Sequence, residues 1–330
     1  MRDIYRCPES PIAQPVAEYH LLLNEQRGTS SPPTVVICGS ESAPKIDVAV
    51  TLANYASRLG WAPTLVDLNP SEHQCVALPG SVGAAIIENP IALDEDILSH
   101  HVTTQLFVGS LTVQSTGVGG CSAVWRQQVR ALLDILRRER ASHCVRSGSI
   151  ILVPQLHGVE GAKAVAEVVR LSFATHILCL HDEPLMDRIL TYFKEISTGS
   201  SSKDFDADAE DAAAQSQRHV FEHLNPSMWL GARSVTVDTL FSASSVLRSR
   251  SLVGIHLAKQ KFESFFFGSG ASQINLFRCV VPLKKVMLYR PSVKSDDKVV
   301  AVLIEKSEHD AIVHNVFAVI DVSQAKREMG

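Results

Sequence analysis

Short apolar runs rich in β-branched residues alternate with longer segments of helical periodicity over the first two thirds of the chain. Each run is bounded by turn-forming residues, and most of the intervening segments are long enough to cross back over a sheet. Strands that alternate with helices of this length favour an α/β fold whose mostly parallel sheet carries helices on both faces. The predicted strands are 34–38, 63–68, 84–87, 105–108, 149–153 and 176–180, and the predicted helices are 16–26, 48–59, 122–140, 161–172 and 184–196.

The sequence changes character near residue 228. Beyond that point, short runs rich in Val, Phe and Leu with turns between them indicate a small β-rich domain. We therefore divide the chain into an N-terminal arm with a short helix (1–30), an α/β domain (31–228) and a β-rich C-terminal domain (229–330). The C-terminal strand candidates are 234–240, 252–257, 277–283, 299–305 and 312–321.

The composition is that of an ordinary globular protein, with 330 residues, 45% hydrophobic residues and 20% charged residues. A net charge of −4 provides no general basic field for nucleic acid, so any RNA contact needs a local patch. The seven cysteines form no C-x-x-C pair, and Cys38 and Cys179 lie inside apolar runs. This pattern predicts buried, reduced thiols in an intracellular protein. The N-terminus has Pro11 and Pro15 and no apolar core, and no apolar run approaches about 20 residues, so we predict neither a signal peptide nor a membrane span.

An incomplete phosphate-binding loop follows the first predicted strand. The pattern G-x-x-x-x-G-K-[ST] requires a second glycine and a hydroxyl residue, and these positions are Pro44 and Ile46 here. Its placement between a strand and a helix favours descent from a true phosphate loop, although a plain strand-to-helix turn has the same sequence character. The candidate loop comprises Gly39, Ser40, Glu41, Ser42, Ala43, Pro44 and Lys45.

Both replacements remove groups that phosphate chemistry uses. Such a loop directs backbone N–H groups at phosphate oxygens, places a lysine beside them and holds Mg²⁺ through the hydroxyl. Pro44 has no N–H, and Ile46 has no oxygen for a hard cation. The sequence therefore predicts a P-loop NTPase-like fold that has lost much of its catalytic equipment.

Two polar residues lie at the end of the second predicted strand. P-loop enzymes often place an aspartate there to hold Mg²⁺ through its water shell or to activate a nucleophile. Asp67 is a candidate for that role, or it is only a carboxylate at the end of a strand. Asn69 is a candidate for the same position without the charge.

A second motif suggests a different class of protein. His219, Glu222 and His223 match H-x-x-E-H, which places two histidines on one helical face beside a glutamate. We expect an ordinary surface helix, because no context for a third zinc ligand follows. A metalloprotease is kept as a formal alternative, and we predict no metal site.

Several segments together resemble the Clp-type polyribonucleotide 5′-hydroxyl kinases, the family of the pre-mRNA cleavage complex II subunit. NYASRLG at 54–60 followed by PTLVDLN at 63–69 resembles the family's first helix and second strand. LPGSVGA at 78–84 and FVGSLT at 107–112 resemble its I-P-G-T-x-G-A and F-G-S-T-T segments, and SKDF at 202–205 matches a motif ahead of its lid helix. The resemblance implies a P-loop kinase fold and ATP as the family's phosphate donor.

The chain departs from the family at several functional positions. The family's functional aspartate falls on Asn69, and its G-W clasp falls near 156–158, where there is no tryptophan. Its arginine-rich lid falls on 206–218, which is acidic and keeps only Arg218. We also expect the family's N-terminal β-domain to be missing.

These departures predict a non-catalytic pseudokinase. The resemblance implies a nuclear scaffold subunit of an mRNA 3′-end cleavage and polyadenylation complex, which docks a cleavage-factor partner and other processing subunits and meets RNA only indirectly. The alternative is an ATP-binding or weakly active polynucleotide 5′-hydroxyl kinase in RNA processing, with ATP held as a structural ligand. The candidate nucleotide contacts are the loop 39–45, Asp67 and Arg218, and the degenerate catalytic positions are Ile46 and Asn69.

Overall fold

The computed structural model describes the α/β part of the chain most completely. The described residues are 13–29, 32–40, 43–71, 74–91, 103–113, 122–139, 146–180, 182–197 and 232–235, followed by 259, 261–263, 265–267, 282, 286–293 and 299–304. The helices are α1 (Ala13–Gln26), α2 (Lys45–Arg58), α3 (Ala123–Glu139), α4 (Gly158–Ser172) and α5 (Glu183–Ser197). The strands are β1 (Thr34–Gly39), β2 (Thr64–Asp67), β3 (Ser81–Ile86), β4 (Thr103–Phe107), β5 (Ser149–Leu152), β6 (His176–Leu180), β7 (Ala232–Val235), β8 (Tyr289–Val293) and β9 (Val299–Leu303).

Seven strands form one sheet in the order β4-β3-β2-β5-β1-β6-β7. Strands β2, β5, β1, β6 and β7 run parallel to one another, whereas β3 pairs antiparallel with both β2 and β4. This confirms the predicted α/β class with a mostly parallel sheet. The connection between β2 and β3 carries no helix in its described residues (68–71 and 74–80), and β3 returns beside β2 as an antiparallel neighbour.

The sheet separates two hydrophobic cores. Successive residues of β1 point to opposite faces, so Val36 and Cys38 belong to one core while Val35 and Ile37 belong to the other. Helices α3, α4 and α5 cover the first face, and helices α1 and α2 cover the second. Fully buried strands of this kind explain the nearly continuous apolar runs of the sequence.

Helix α1 is anchored to the start of the sheet. The Arg27 guanidinium is buried at the end of this helix, and its Nε–H donates to the carbonyl of Ser147 at 3.1 Å. His20 stacks on Tyr55 of α2 with 4.9 Å between the ring centroids. The short N-terminal helix of the prediction is therefore an integral layer of the α/β domain.

The described residues beyond 228 contribute to two sheets. Strand β7 pairs in parallel with β6, so the main sheet extends past the boundary that we placed at 228. Strands β8 and β9 form an antiparallel pair; β9 lies within the strand candidate 299–305, whereas β8 was not predicted. The other predicted C-terminal strands lie outside the described residues. Among the described helices, none combines the length and apolarity that crossing a membrane requires.

Candidate functional site

The candidate loop begins where β1 and β6 meet at their carboxyl ends. Gly39 lies opposite Leu180 in the strand register, and its φ is +130°. A Cβ atom at this position would collide with the carbonyl oxygen of Leu180, so only glycine fits. The N–H of Ser40 donates to the same carbonyl at 3.0 Å. The packing of β1 on β6 therefore requires this glycine whether or not a phosphate binds.

Pro44 occupies the centre of a tight turn immediately before α2. Its φ and ψ are −77° and 54°, close to the values of an inverse γ-turn. The defining hydrogen bond is present, because the N–H of Lys45 donates to the carbonyl of Ala43 at 2.8 Å. This geometry directs the Lys45 N–H back into the loop.

The lysine side chain also contacts its own loop. The Nζ of Lys45 donates to the carbonyl oxygen of Gly39 at 3.0 Å. The Ala43 side chain is buried in the α1/α2 core, and Ile46 packs against the same core. An apolar side chain thus stands where a Mg²⁺-binding loop has its hydroxyl.

Asp67 is the last residue of β2 and is only 1% exposed. Its Oδ1 accepts the N–H of Asn69 at 2.9 Å, and its Oδ2 accepts the N–H of Cys75 at 2.8 Å. Burial raises the pKa of this carboxyl, while the two N–H donors act in the opposite direction. Both oxygens hold the following loop together, and neither faces solvent where a hydrated metal would lie.

Asn69 also takes part in this loop and is partly exposed. Its Oδ1 accepts the N–H of Ser71 at 3.2 Å, which is an Asx-type turn. The contact gives Asn69 a structural role after β2. Whether it stands in the family's catalytic position stays a prediction.

Two residues of this region were missed in the sequence analysis. Gln74 is completely buried, and its Nε2 donates to the carbonyls of Asp67 at 3.1 Å and Ser81 at 3.0 Å. Trp125 of α3 is 1% exposed and donates its Nε1–H to the carbonyl of Leu68 at 2.8 Å. A glutamine between loop residues carries no sequence signal for burial, but a tryptophan on the apolar face of a long helix does.

The predicted clasp position lies between β5 and α4. Leu156 is buried, whereas His157, at the N-cap of α4, and Gly158 are exposed. The His157 side chain makes no capping hydrogen bond to the helix. The described residues 156–158 offer no indole ring at this position, and the ring present is the exposed imidazole of His157.

Several predicted residues lie outside the described residues. They include Glu41 and Ser42 of the loop, the lid segment 206–218 with Arg218, the SKDF segment 202–205, and His219, Glu222 and His223 of the metalloprotease alternative. Within the described part, no three His, Cys, Asp or Glu side chains come together as a metal site. Cys38 and Cys179 are buried, unbridged thiols paired side by side on β1 and β6, as the apolar runs predicted.

The described residues do not fit Mg²⁺ and ATP in the way that a phosphate loop holds them. Pro44 supplies no N–H, the Lys45 N–H bonds within the loop, and Ile46 supplies no oxygen. The carboxylate expected near the metal, Asp67, is buried and satisfied by backbone donors. The fold and the site define a P-loop-type α/β domain with an altered loop.

Comparison with known families assigns this domain. A sequence model described as the mRNA cleavage and polyadenylation factor CLP1 P-loop matches residues 39–218, more than half of the 330 residues. The chain therefore belongs to the CLP1 P-loop family, which confirms the resemblance drawn from its motifs. The match begins at Gly39, the first residue of the candidate loop.

Curated relatives match shorter segments. The mRNA cleavage and polyadenylation factor CLP1 of Lodderomyces elongisporus is 38% identical over 80 residues, 24% of this chain and 14% of that protein. The polyribonucleotide 5′-hydroxyl-kinase Clp1 of Bos taurus is 39% identical over 71 residues, 22% of this chain and 16% of that protein. The mRNA cleavage and polyadenylation factor clp1 of Neurospora crassa is 27% identical over 178 residues, 46% of this chain and 34% of that protein.

Two solved structures share the fold. A wild-type Clp1p–Pcf11p complex superposes with a TM-score of 0.63 at 14% identity, covering 90% of this chain and 65% of that chain. A second Clp1p–Pcf11p structure, which concerns a point mutant that has lost ATP, superposes with a TM-score of 0.61 at 15% identity. This chain therefore spans slightly less than two thirds of the Clp1p chains whose fold it shares.

Proposed function

We propose that the protein is a non-catalytic scaffold subunit of the nuclear machinery for mRNA 3′-end cleavage and polyadenylation. Its α/β domain keeps the fold of the CLP1 P-loop family without the groups that transfer a phosphoryl group. It docks a cleavage-factor partner of the Pcf11 type and contacts RNA only through other subunits. Two observations on the metal positions carry this proposal: Ile46 replaces the hydroxyl residue, and both carboxylate oxygens of Asp67 are taken by backbone N–H groups.

The chemistry of phosphoryl transfer explains the weight of these two positions. Catalysis of this reaction consists almost entirely of positioning and charge stabilisation, so loss of the metal site lowers the rate by orders of magnitude. Ile46 packs on an apolar core, and both oxygens of Asp67 accept backbone N–H groups. One defect in the metal site is compatible with a weak kinase. Here Ile46 supplies no hydroxyl and the oxygens of Asp67 are occupied, and two independent defects in one site favour a domain without catalysis.

The proposed partner follows from the structural neighbours. Both neighbouring structures contain Clp1p together with Pcf11p, and the curated relatives are named as cleavage and polyadenylation factors. The net charge of −4 also suits protein contacts better than capture of an RNA end.

Catalysis is tested with a 5′-hydroxyl oligoribonucleotide, radiolabelled ATP and Mg²⁺. We expect no phosphate transfer above the level of a Lys45→Ala variant. Transfer that is abolished by Lys45→Ala would refute the non-catalytic assignment and support the alternative of a weakly active 5′-hydroxyl kinase.

Partner docking is tested separately by co-expression with the Pcf11-type protein of the same organism. We expect one complex with a fixed stoichiometry in size-exclusion chromatography and light scattering. If the two proteins elute separately at micromolar concentrations, the scaffold role is wrong even if the kinase assay is negative.

A further inference from the structure

We infer that Cys38 and Cys179 form an oxidation site, at which a small hydroperoxide joins β1 to β6 through a reversible disulfide. The inference goes beyond the proposed function and does not depend on it, because it concerns two thiols in the core rather than phosphate transfer or partner docking. Among the described cysteines, these two face each other across neighbouring strands.

The backbone places the two thiols at disulfide distance. Cys38 and Cys179 are register partners in the parallel pair of β1 and β6. Neighbouring strands lie about 4.8 Å apart, and a disulfide joins Cα atoms that are about 4.4 to 6.8 Å apart. Both side chains belong to the α3/α4/α5 core, so both point to the same face of the sheet. The bridge therefore requires new side-chain rotamers and a small approach of the strands, but no change of register.

The surroundings give the two sulfur atoms different roles. The hydrogen bond from the Cys38 thiol lowers the pKa of Cys179; burial and Asp182 oppose this effect, and the positive charge of Lys45 supports it. The same hydrogen bond, together with burial, raises the pKa of Cys38. Because the thiolate is the nucleophile, Cys179 attacks the oxidant and Cys38 completes the bridge.

The reaction takes place in two balanced steps. The Cys179 thiolate attacks one oxygen of hydrogen peroxide, the O–O bond breaks, and the other oxygen leaves as hydroxide and is protonated to water. Cys179 is then a sulfenic acid. The sulfur of Cys38 attacks the sulfur of Cys179, the S–S bond forms, and the departing hydroxide takes the Cys38 proton to give a second water. Two thiols have lost two electrons and two protons, and an added dithiol reverses the reaction by exchange.

Burial determines which oxidants reach the pair. Both thiols are completely buried, so oxidation requires a local opening. The pair is the second rung from the carboxyl end of both strands, and the last rung joins Gly39 to Leu180. The ends of strands open at a lower free energy than their centres. We therefore expect a slow reaction with hydrogen peroxide and no alkylation of either thiol by N-ethylmaleimide in the folded protein.

Cys75 provides an internal control. It packs against the α1/α2 core, on the opposite face of the sheet from Cys38 and Cys179. Burial and the neighbouring Asp67 raise the pKa of Cys75 well above its ordinary value. Cys75 should therefore stay a thiol in the folded protein, and a disulfide that includes it reports unfolding rather than the proposed site.

The test treats the full chain with hydrogen peroxide at neutral pH, removes the oxidant with catalase and blocks the remaining thiols in denaturant. We expect mass spectrometry of a non-reducing digest to show the peptide that links Cys38 to Cys179, with the circular dichroism spectrum unchanged. The bridge closes a loop of roughly 140 residues. A cross-link of this length should raise Tm by about 10 °C, and dithiothreitol should reverse the rise.

Single substitutions separate the two roles. In Cys38→Ala, peroxide should carry Cys179 on to sulfinic acid, because no thiol remains to form the bridge, and Tm should not rise. In Cys179→Ala, Cys38 should stay a thiol. Cys38→Ser and Cys179→Ser serve if the alanine variants are poorly folded by circular dichroism. Oxidation of Cys38 in Cys179→Ala as fast as that of Cys179 in Cys38→Ala overturns the assignment of the two roles.

The disulfide itself is refuted in either of two ways. A folded, peroxide-treated wild type without the linked peptide overturns the inference, and so does a linked peptide that appears only together with Cys75 disulfides or a lost circular dichroism signal. The kinase and docking assays are run in dithiothreitol, where the pair is reduced. Failure of the scaffold proposal in those assays therefore leaves this inference standing, and failure of the oxidation test leaves the scaffold proposal unchanged.

Discussion

Replacement of Asp67 by asparagine distinguishes a structural carboxylate from a metal-binding one. The variant keeps the size of the side chain, but its amide group can accept only one of the two N–H groups that Asp67 accepts at 2.9 and 2.8 Å. Losing one charge-assisted bond and leaving a buried N–H unsatisfied costs about 4 kcal/mol in total. Removing a charge from the core offsets part of this loss, since burial raises the pKa of Asp67.

The expected loss is therefore about 3 kcal/mol in the free energy of unfolding, or about 10 °C in Tm for a domain of this size. Urea denaturation followed by circular dichroism measures it. Asn69→Ala is the matched control, because its side chain is partly exposed and accepts a single N–H from Ser71. We expect it to lose about 1 kcal/mol.

A metal-binding role predicts the opposite pattern. Carboxylates that serve chemistry at an active site are often neutral or unfavourable for stability. An Asp67→Asn protein that is as stable as the wild type would refute the assignment of Asp67 as the residue that holds this loop. A loss equal to that of Asn69→Ala would contradict the estimate from the two buried hydrogen bonds.

Two further predictions concern the loop glycine and acid stability. Gly39→Ala should lose more than about 3 kcal/mol of stability, because its Cβ clashes with Leu180. Gly158→Ala, whose Cβ has open space around it, should lose about 1 kcal/mol. Equal urea midpoints for the two variants would contradict the clash. Burial lowers the pKa of His176 from 6.5 to about 4, so the fold requires the neutral ring and stability falls as the pH drops below about 6.5. Between about pH 7.5 and about pH 5 the free energy of unfolding should fall by about 2 kcal/mol because of this histidine, and the fall should be absent in His176→Gln. If the free energy of unfolding of that variant depends on pH as in the wild type, His176 is not the source of the loss.

The sequence predicted the sheet well because burial on both faces leaves a direct mark on composition. Strands β1, β5 and β6 carry continuous apolar runs, and their predicted ranges agree with the observed ones within one residue. Strand β3 begins at Ser81 rather than at 84, because Ser81 and Gly83 interrupt the apolar run although pairing with β4 buries both residues. Hydrophobicity alone does not report that kind of burial.

The candidate site could be predicted only in part. The missing groups at Pro44 and Ile46 are properties of residue types, so the sequence identified them directly. The acceptors of the other N–H groups in the loop depend on the backbone torsion angles, so the γ-turn at Pro44 appears only in the structure. Likewise, the sequence left two roles open for Asp67, and the contact with Cys75, eight residues further on, favours the structural one.

The separation of the two cores by the sheet has an evolutionary consequence. The α1/α2 core and the α3/α4/α5 core share strands but no side chains, because neighbouring residues point in opposite directions. Substitutions on one side therefore combine with those on the other nearly additively. The loop at Pro44 leads into α2 and the α1/α2 core, while Trp125 lies in the α3/α4/α5 core. Selection can thus relax on the loop side while the opposite layer keeps its packing, and a family member can abandon a ligand without remodelling the rest of its fold.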